Sequence, residues 1–206
     1  MEKKNYVILA QDPSFAKLAF SLYDGDETIY MNNCTFELGD CVGFEKVFIA
    51  SRTIFNQYSA LLQNSYGVND RLFIDKVFTE VPPPNGTYSA GLFALDTFLV
   101  WGLYMSFKSI NEIWSLPPSY LMVIHNCRKY KKGDSTTLAK YLMNEVLKDK
   151  FQFKFTGAMN ADRAESFIFL LRAFVKYNIN DSAKPIVEAI SGFLSDSEKL
   201  IVTRKV

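Results

Sequence analysis

The chain opens with short apolar blocks and continues with longer apolar runs at helical spacing. Tyr6 to Gln11 is apolar and stops at Asp12-Pro13-Ser14, and Lys17 to Tyr23 is apolar and stops at Asp24-Gly25-Asp26. Runs of this length bounded by turn residues predict two antiparallel strands. Thr28 to Leu38, with Ile29, Met31 and Phe36 among polar residues, alternates loosely and predicts a third, completing a meander. From Val42 to Tyr66 apolar residues recur at spacings of three and four, which predicts a helix ending at Gly67. Arg71 to Thr79 then predicts a buried strand, stopped by Glu80 and the block Pro82-Pro83-Pro84, which cannot continue a sheet.

After the turn residues Asn85-Gly86, Tyr88 to Phe107 is a long apolar helix, followed by Pro117-Pro118 and a predicted strand from Tyr120 to His125. A strand, a helix and a strand in that order make a parallel unit of the α/β kind. Asp134 to Lys148 predicts an amphipathic helix, and Asn160 can cap another running through Tyr177. The expected fold is therefore α/β: a mixed sheet, with a three-strand antiparallel meander plus parallel strands, flanked by helices. Residues 1–178 form the main domain and 179–206 a C-terminal helical extension.

Composition narrows the class. With 206 residues, 49% hydrophobic and 22% charged, the chain suits one domain with a short appendage. Eighteen Phe and 11 Tyr supply a large core. Twenty-three Lys and Arg against 22 Asp and Glu leave a net charge of +1, so a polyanion would have to be met by a clustered patch. Cys34, Cys41 and Cys127 have neither a Cys-x-x-Cys partner nor a His at zinc spacing, and read as free thiols in a reducing compartment. Residues 1–10 lack the apolar length and cleavage site of a signal peptide, so a cytoplasmic location is expected. The run Tyr88 to Phe107 approaches membrane length, but Asp96 at its centre would cost about 2.5–3.5 kcal/mol on insertion, so a buried helix and no membrane partner are expected.

Asp12 and Glu80 each follow a buried apolar strand, where a charge is costly unless used or paired. Ligands of open α/β sheets gather at the carboxyl ends of strands, and adjacent strands lie about 4.8 Å apart, so acids from two strands can converge there. Asp162 and Glu165 occupy the first turn of a predicted helix at spacing i, i+3 and share one face. Several carboxylates in one place need cations, and hard oxygen ligands favour Mg²⁺ or Mn²⁺. The implied chemistry is phosphodiester hydrolysis by two metal ions. Each acid also has a plainer reading: Asp12 could cap the turn before Pro13, and Asp162 and Glu165 could simply favour a helix N-terminus.

Val7-Ile-Leu-Ala-Gln-Asp12-Pro-Ser, Phe78-Thr-Glu80-Val-Pro-Pro-Pro and Asn160-Ala-Asp162-Arg-Ala-Glu165-Ser-Phe together resemble the RuvC family of Holliday-junction resolvases, within the ribonuclease H-like superfamily. The resemblance spans Tyr6 to Tyr177 and lies in motifs and element order. It implies a ribonuclease H-like nuclease domain in which Asp12, Glu80, Asp162 and Glu165 are catalytic and hold two Mg²⁺ per site, with Mn²⁺ able to substitute. Glu165 stands where the family more commonly has Asp. Val81 and the prolines occupy the stretch where bacterial members carry an inserted aromatic residue, for which Tyr88 or Phe93 could substitute. These departures suit a divergent member, such as a viral one.

Arg128-Lys129-Tyr130-Lys131-Lys132, with Lys140 on the following helix, is the densest basic cluster and the candidate DNA-binding surface, although a solvated loop is the plainer reading. Lys148, Lys150 and Lys154 could extend it. His125, the single histidine, reads better as a strand-end polar residue than as a proton shuttle. The helix Tyr88 to Phe107, in which Gly91 and Gly102 allow close approach, could pack on its twin in a homodimer or be buried within one chain.

The expected function is Mg²⁺-dependent, structure-selective cleavage of branched DNA by a dimer that nicks paired strands symmetrically. The alternatives are another ribonuclease H-like nuclease and a catalytically silent protein that binds or assembles on branched DNA. A sugar-kinase or actin-like ATPase is disfavoured because Gln11 to Ala16 contains no glycine to cradle a phosphate.

Overall fold

The computed structural model describes residues 6–14, 17–35, 45, 47–53, 56, 60, 74–80, 89–106, 110–116, 134–155 and 157–198. Six strands form one sheet in the order β5-β4-β1-β2-β3-β6. They are β1 (Ile8–Pro13), β2 (Lys17–Tyr23), β3 (Thr28–Thr35), β4 (Lys76–Glu80), β5 (Glu112–Leu116) and β6 (Gln152–Lys154). The strands β1, β2 and β3 are the expected antiparallel meander, and β4 joins β1, β5 joins β4 and β6 joins β3 in parallel. The sheet is thus the mixed arrangement expected from the sequence, an antiparallel meander extended by parallel strands.

Turn chemistry sets the meander. Ser14 closes the β1–β2 connection: its Oγ accepts from the Lys17 amide at 3.0 Å, and its amide donates to the Lys17 carbonyl at 2.8 Å. At the β2–β3 turn Asp24 Oδ1 accepts from the amides of Asp26 and Thr28, both at 3.0 Å, and Gly25 supplies the φ of +89°.

Helices cover both faces. Residues 47–53 (α1) lie within the helix expected from Val42 to Tyr66. The apolar helix is α2 (Ser89–Ser106), which lays Leu95, Leu99 and Leu103 against Leu9, Phe20 and Val77 on one face. On the other face Ile8, Ala10, Tyr23, Ile29 and Phe78 pack beneath α3 (Asp134–Tyr141), α4 (Ala161–Tyr177) and α5 (Ala183–Glu198). Among the described residues no helix is long and apolar enough to cross a membrane.

The helix α4 fixes the architecture of this second face. Asn160 caps it as expected, its side chain accepting from the Arg163 amide at 2.9 Å, and Asn178 ends it in the left-handed region at φ 50°. Every residue from Arg163 to Leu171 is buried, because the helix is sandwiched between the sheet and its neighbours α3 and α5. Ser166 and Ser21 share a 2.9 Å hydrogen bond where helix and sheet meet, and small side chains there permit the close approach. The C-terminal helix is continuous with this core: Ile186 and Ile190 of α5 are fully buried in it.

Three elements differ from expectation. The strand parallel to β4 is Glu112–Leu116, ahead of Pro117, where no strand was expected; the expected strand Tyr120 to His125 lies outside the described residues. The helix expected over Asp134 to Lys148 changes after Tyr141 into a π-helical turn, Leu142–Val146. The third difference is β6, a strand of three residues whose partner β3 supplies the pairing that so short a segment needs.

Candidate active site

Register places the sequence-predicted acids. β1 and β4 run parallel with Gln11 opposite Thr79, so Asp12 and Glu80 are the next residues of adjacent strands, at their carboxyl ends. Side chains alternate between faces. Leu9 and Val77 belong to the α2 face and Ile8, Ala10 and Phe78 to the α4 face, so alternation assigns Asp12 and Glu80 to the α4 face. The first turn of α4 carries Asp162 and Glu165. Asp162 Oδ2 meets Lys17 Nζ at 3.3 Å, and Lys17 begins β2, antiparallel to β1, at the same end of the sheet. Backbone topology therefore brings the segments that carry the four acids to one end and one face of the sheet.

The environments of the acids differ. Glu165 is buried, at 9% exposure, whereas Asp12, Glu80 and Asp162 are half-buried. Between Asp162 and Glu165, the buried Arg163 donates from Nη1 to the Ala158 carbonyl at 2.9 Å, and desolvation lowers its pKa.

An all-carboxylate donor set has the chemistry for a hard divalent cation. Its spacing does not yet make a ligand cage: among the described residues no group of three or more His, Cys, Asp or Glu could hold a metal ion. Lys17, a residue the sequence reasoning did not single out, neutralises Asp162 instead.

Three further residues, to which the sequence reading gave no role in the site, lie directly behind the acids. Gln11 Nε2 donates to Thr79 Oγ1 at 3.2 Å and to Asp96 Oδ1 at 3.5 Å, and Thr79 Oγ1 donates to Asp96 Oδ1. All three side chains are buried, Asp96 at 7% exposure on α2. The signal available was a lone acid within an apolar helix and one polar residue near the end of each apolar strand. Burial pushes the Asp96 carboxyl up to about 6, opposed by the hydrogen bonds from Thr79 and then Gln11.

The raised value has a measurable consequence. A carboxyl that ionises near 3.8 in the unfolded chain and near 6 when folded contributes stability that is full below pH 3.8 and lost as pH rises through 6. Asp96→Asn lacks this titration. From pH 4 to pH 8, urea unfolding should show the variant gaining about 1–3 kcal/mol relative to wild type. A difference independent of pH would contradict the assignment.

Of the basic candidates, Lys140 is exposed near the end of α3, while Arg128, Lys129, Lys131 and Lys132 lie outside the described residues, as do His125, Tyr88, Cys41 and Cys127. Two of the outlying lysines have local partners. Lys150 Nζ donates to the carbonyl of Asn180 at 2.9 Å, and Lys154 Nζ lies 5.3 Å from the Tyr30 ring centroid. Lys150 thereby ties down a turn in which Asn178, Asn180 and Asp181 all have positive φ. The outward side of α2 exposes Phe98, Trp101, Tyr104 and Met105, with Trp101 at 61%.

No family model matches the sequence, and no curated protein sequence matches it. Among solved structures, the chain is similar to the RuvC of Thermus thermophilus in complex with a Holliday junction substrate, at 7% identity and a TM-score of 0.47, over 94% of this chain and 96% of that one. A second Thermus thermophilus RuvC structure gives 8% identity and a TM-score of 0.44, over 93% and 96% of the two chains. The manganese-soaked nuclease domain of the human cytomegalovirus terminase gives 11% and 0.37, over 94% and 83%.

Proposed function

We propose that this protein is a divalent-metal-dependent endonuclease that resolves branched DNA, with Asp12, Glu80, Asp162 and Glu165 as its catalytic acids. The observation that carries the reading is the register of β1 on β4, which sets Asp12 beside Glu80 on the face that the first turn of α4 covers. Asp12, Glu80, Asp162 and Glu165 belong to three separated segments that reach one end and one face of the sheet, which supports reading them as one site. These four carboxylates would hold Mg²⁺ or Mn²⁺, which would supply activation of the attacking water and stabilisation of the leaving oxygen in an in-line displacement.

Lys140 and the cluster Arg128, Lys129, Lys131 and Lys132 are the proposed phosphate contacts, through which affinity should fall steeply with salt. The exposed aromatic side of α2 is the proposed dimer surface, while its Leu95, Leu99 and Leu103 stripe is buried within the chain. Two paired nicks in a four-way junction require two active sites, which a twofold dimer supplies.

A catalytically silent protein that binds branched DNA is the second reading, favoured by the Lys17–Asp162 ion pair and by the lack of a metal-holding group among the described residues. One experiment separates the two. A synthetic four-way junction and a linear duplex of the same sequence are incubated with the protein in Mg²⁺, Mn²⁺ or EDTA. Symmetric nicks confined to the junction and abolished by EDTA support the resolvase. Cutting of an RNA–DNA hybrid in preference to the junction would move the assignment to another ribonuclease H-like nuclease, and tight junction binding without a cut in either metal would establish the silent protein.

A further inference from the structure

We infer that Asp96 is a positioning residue of the acid site, a clamp on the opposite face of the sheet that holds the ends of β1 and β4 at the spacing Asp12 and Glu80 need. This rests on the proposed reading of those two acids. The argument begins from register. Gln11 and Thr79 are the paired residues immediately before Asp12 and Glu80, and both side chains point to α2. Asp96 Oδ1 accepts from both, at 3.5 Å from Gln11 Nε2 and through the Thr79 hydroxyl, while Gln11 also donates to Thr79. One carboxyl oxygen on a helix thus links the last pair of residues before the two acids.

Physical cost makes an incidental role a poor explanation. Burying three polar side chains on the face that carries the apolar cluster of Leu9, Val77, Leu95 and Leu99 is unfavourable unless every member finds partners, and an apolar trio would pack the same space with no desolvation penalty. The β1–β4 ladder pairs as far as Gln11 and Thr79, and an apolar trio would add no directional restraint to the strand ends beyond that pair. Hydrogen bonds hold distance and direction, whereas apolar contacts allow sliding. A small displacement of a catalytic group costs a large factor in rate, so a rigid support behind the acids has a use there.

The test uses the full chain and three substitutions. Asp96→Leu removes the acceptor, Thr79→Val removes one donor with little change of shape, and Asp96→Asn keeps an acceptor oxygen. Mn²⁺ alone is titrated by calorimetry, junction affinity is measured in EDTA, and hydrogen–deuterium exchange is followed over residues 8–13, 76–80 and 167–177. In Asp96→Leu and Thr79→Val the half-saturating Mn²⁺ concentration should rise at least tenfold. Exchange should quicken over 8–13 and 76–80 but not over 167–177, with junction affinity unchanged. Asp96→Asn should restore both metal binding and protection, and the double variant should be no worse than the poorer single one. Unchanged Mn²⁺ binding in folded Asp96→Leu and Thr79→Val overturns the inference, as does exchange that rises equally over 167–177. If the wild type binds no Mn²⁺, the metal site itself is overturned, and the local exchange pattern alone then decides whether the clamp exists.

Discussion

Replacing Asp12 by Asn should lower junction cleavage in Mg²⁺ by about a thousandfold or more while leaving junction affinity in EDTA within a few-fold of wild type. The substitution preserves shape, so β1 should keep its pairing with both β2 and β4. On the proposed reading, what it removes is the negative charge that a divalent ion would need at the end of β1. Metal assistance to a displacement is worth several kcal/mol, and about 4 kcal/mol corresponds to a factor near 10³. Glu80→Gln should behave alike, and the two together should be little worse than either, because residues acting on one bound ion are not additive. Single-turnover cleavage beside a binding titration separates the two effects. A variant that cuts within tenfold of wild type would remove Asp12 from the active site. One that loses binding in parallel would mark it as a fold residue.

Glu112→Ala should destabilise the protein by about 2–4 kcal/mol, and clearly more than Lys76→Met, although both break the same ion pair. Lys76 is buried, at 5% exposure, with Nζ 2.5 Å from Glu112 Oε2 and 3.4 Å from Asn111 Oδ1. The Tyr6 and Tyr177 ring centroids lie 4.4 and 4.7 Å from the same ammonium. Without Glu112 the charge stays buried against Asn111 and two ring faces. Without Lys76, the Glu112 side chain, 31% exposed, still reaches water and keeps the Trp114 indole N–H at 2.5 Å. Water therefore compensates one loss and not the other.

The same pair has a pH signature. The hydrogen bond from Lys76 is the main cause that draws the Glu112 carboxyl down from near 4.5 to about 2. A depressed carboxyl contributes stability above its unfolded value and loses it as pH falls through the folded one. Urea unfolding should accordingly show the gap between wild type and Glu112→Gln narrowing from pH 5 to pH 2. Equal costs for the two single substitutions at pH 7, or a gap that widens in acid, would contradict this account.

Local patterning was enough for much of the fold. The short apolar blocks and the Asp24-Gly25-Asp26 turn specify the meander because each strand closes on its immediate neighbour. The Asn160 cap and the apolar period after it specify α4 almost to the residue. The missed strands show where such signals weaken. Glu112–Leu116 has the buried partner β4 on one side, so its side chains need not follow a clean alternation. Phe151-Gln-Phe-Lys-Phe155 does alternate, but three paired residues make a strand only when β3 is already in place to receive them.

The four acids were legible one at a time, as charges at the ends of apolar elements. Their convergence was an expectation of the sequence, but the register of β1 on β4, the face that alternation assigns to each residue and the seating of α4, which decide it, are properties of distant segments packed together. Tertiary structure likewise decided what Asp96 and Lys17 do. In the sequence Asp96 is an anomaly in an apolar helix and Lys17 one lysine among many. Only the folded chain brings Asp96 to Gln11 and Thr79, 85 and 17 residues away, and Lys17 to Asp162, 145 residues away. Hydrophobic period and turn chemistry act over a few residues and are written into the sequence directly. The pairing of polar groups across such separations depends on which cores form, and it is there that this protein places its candidate chemistry.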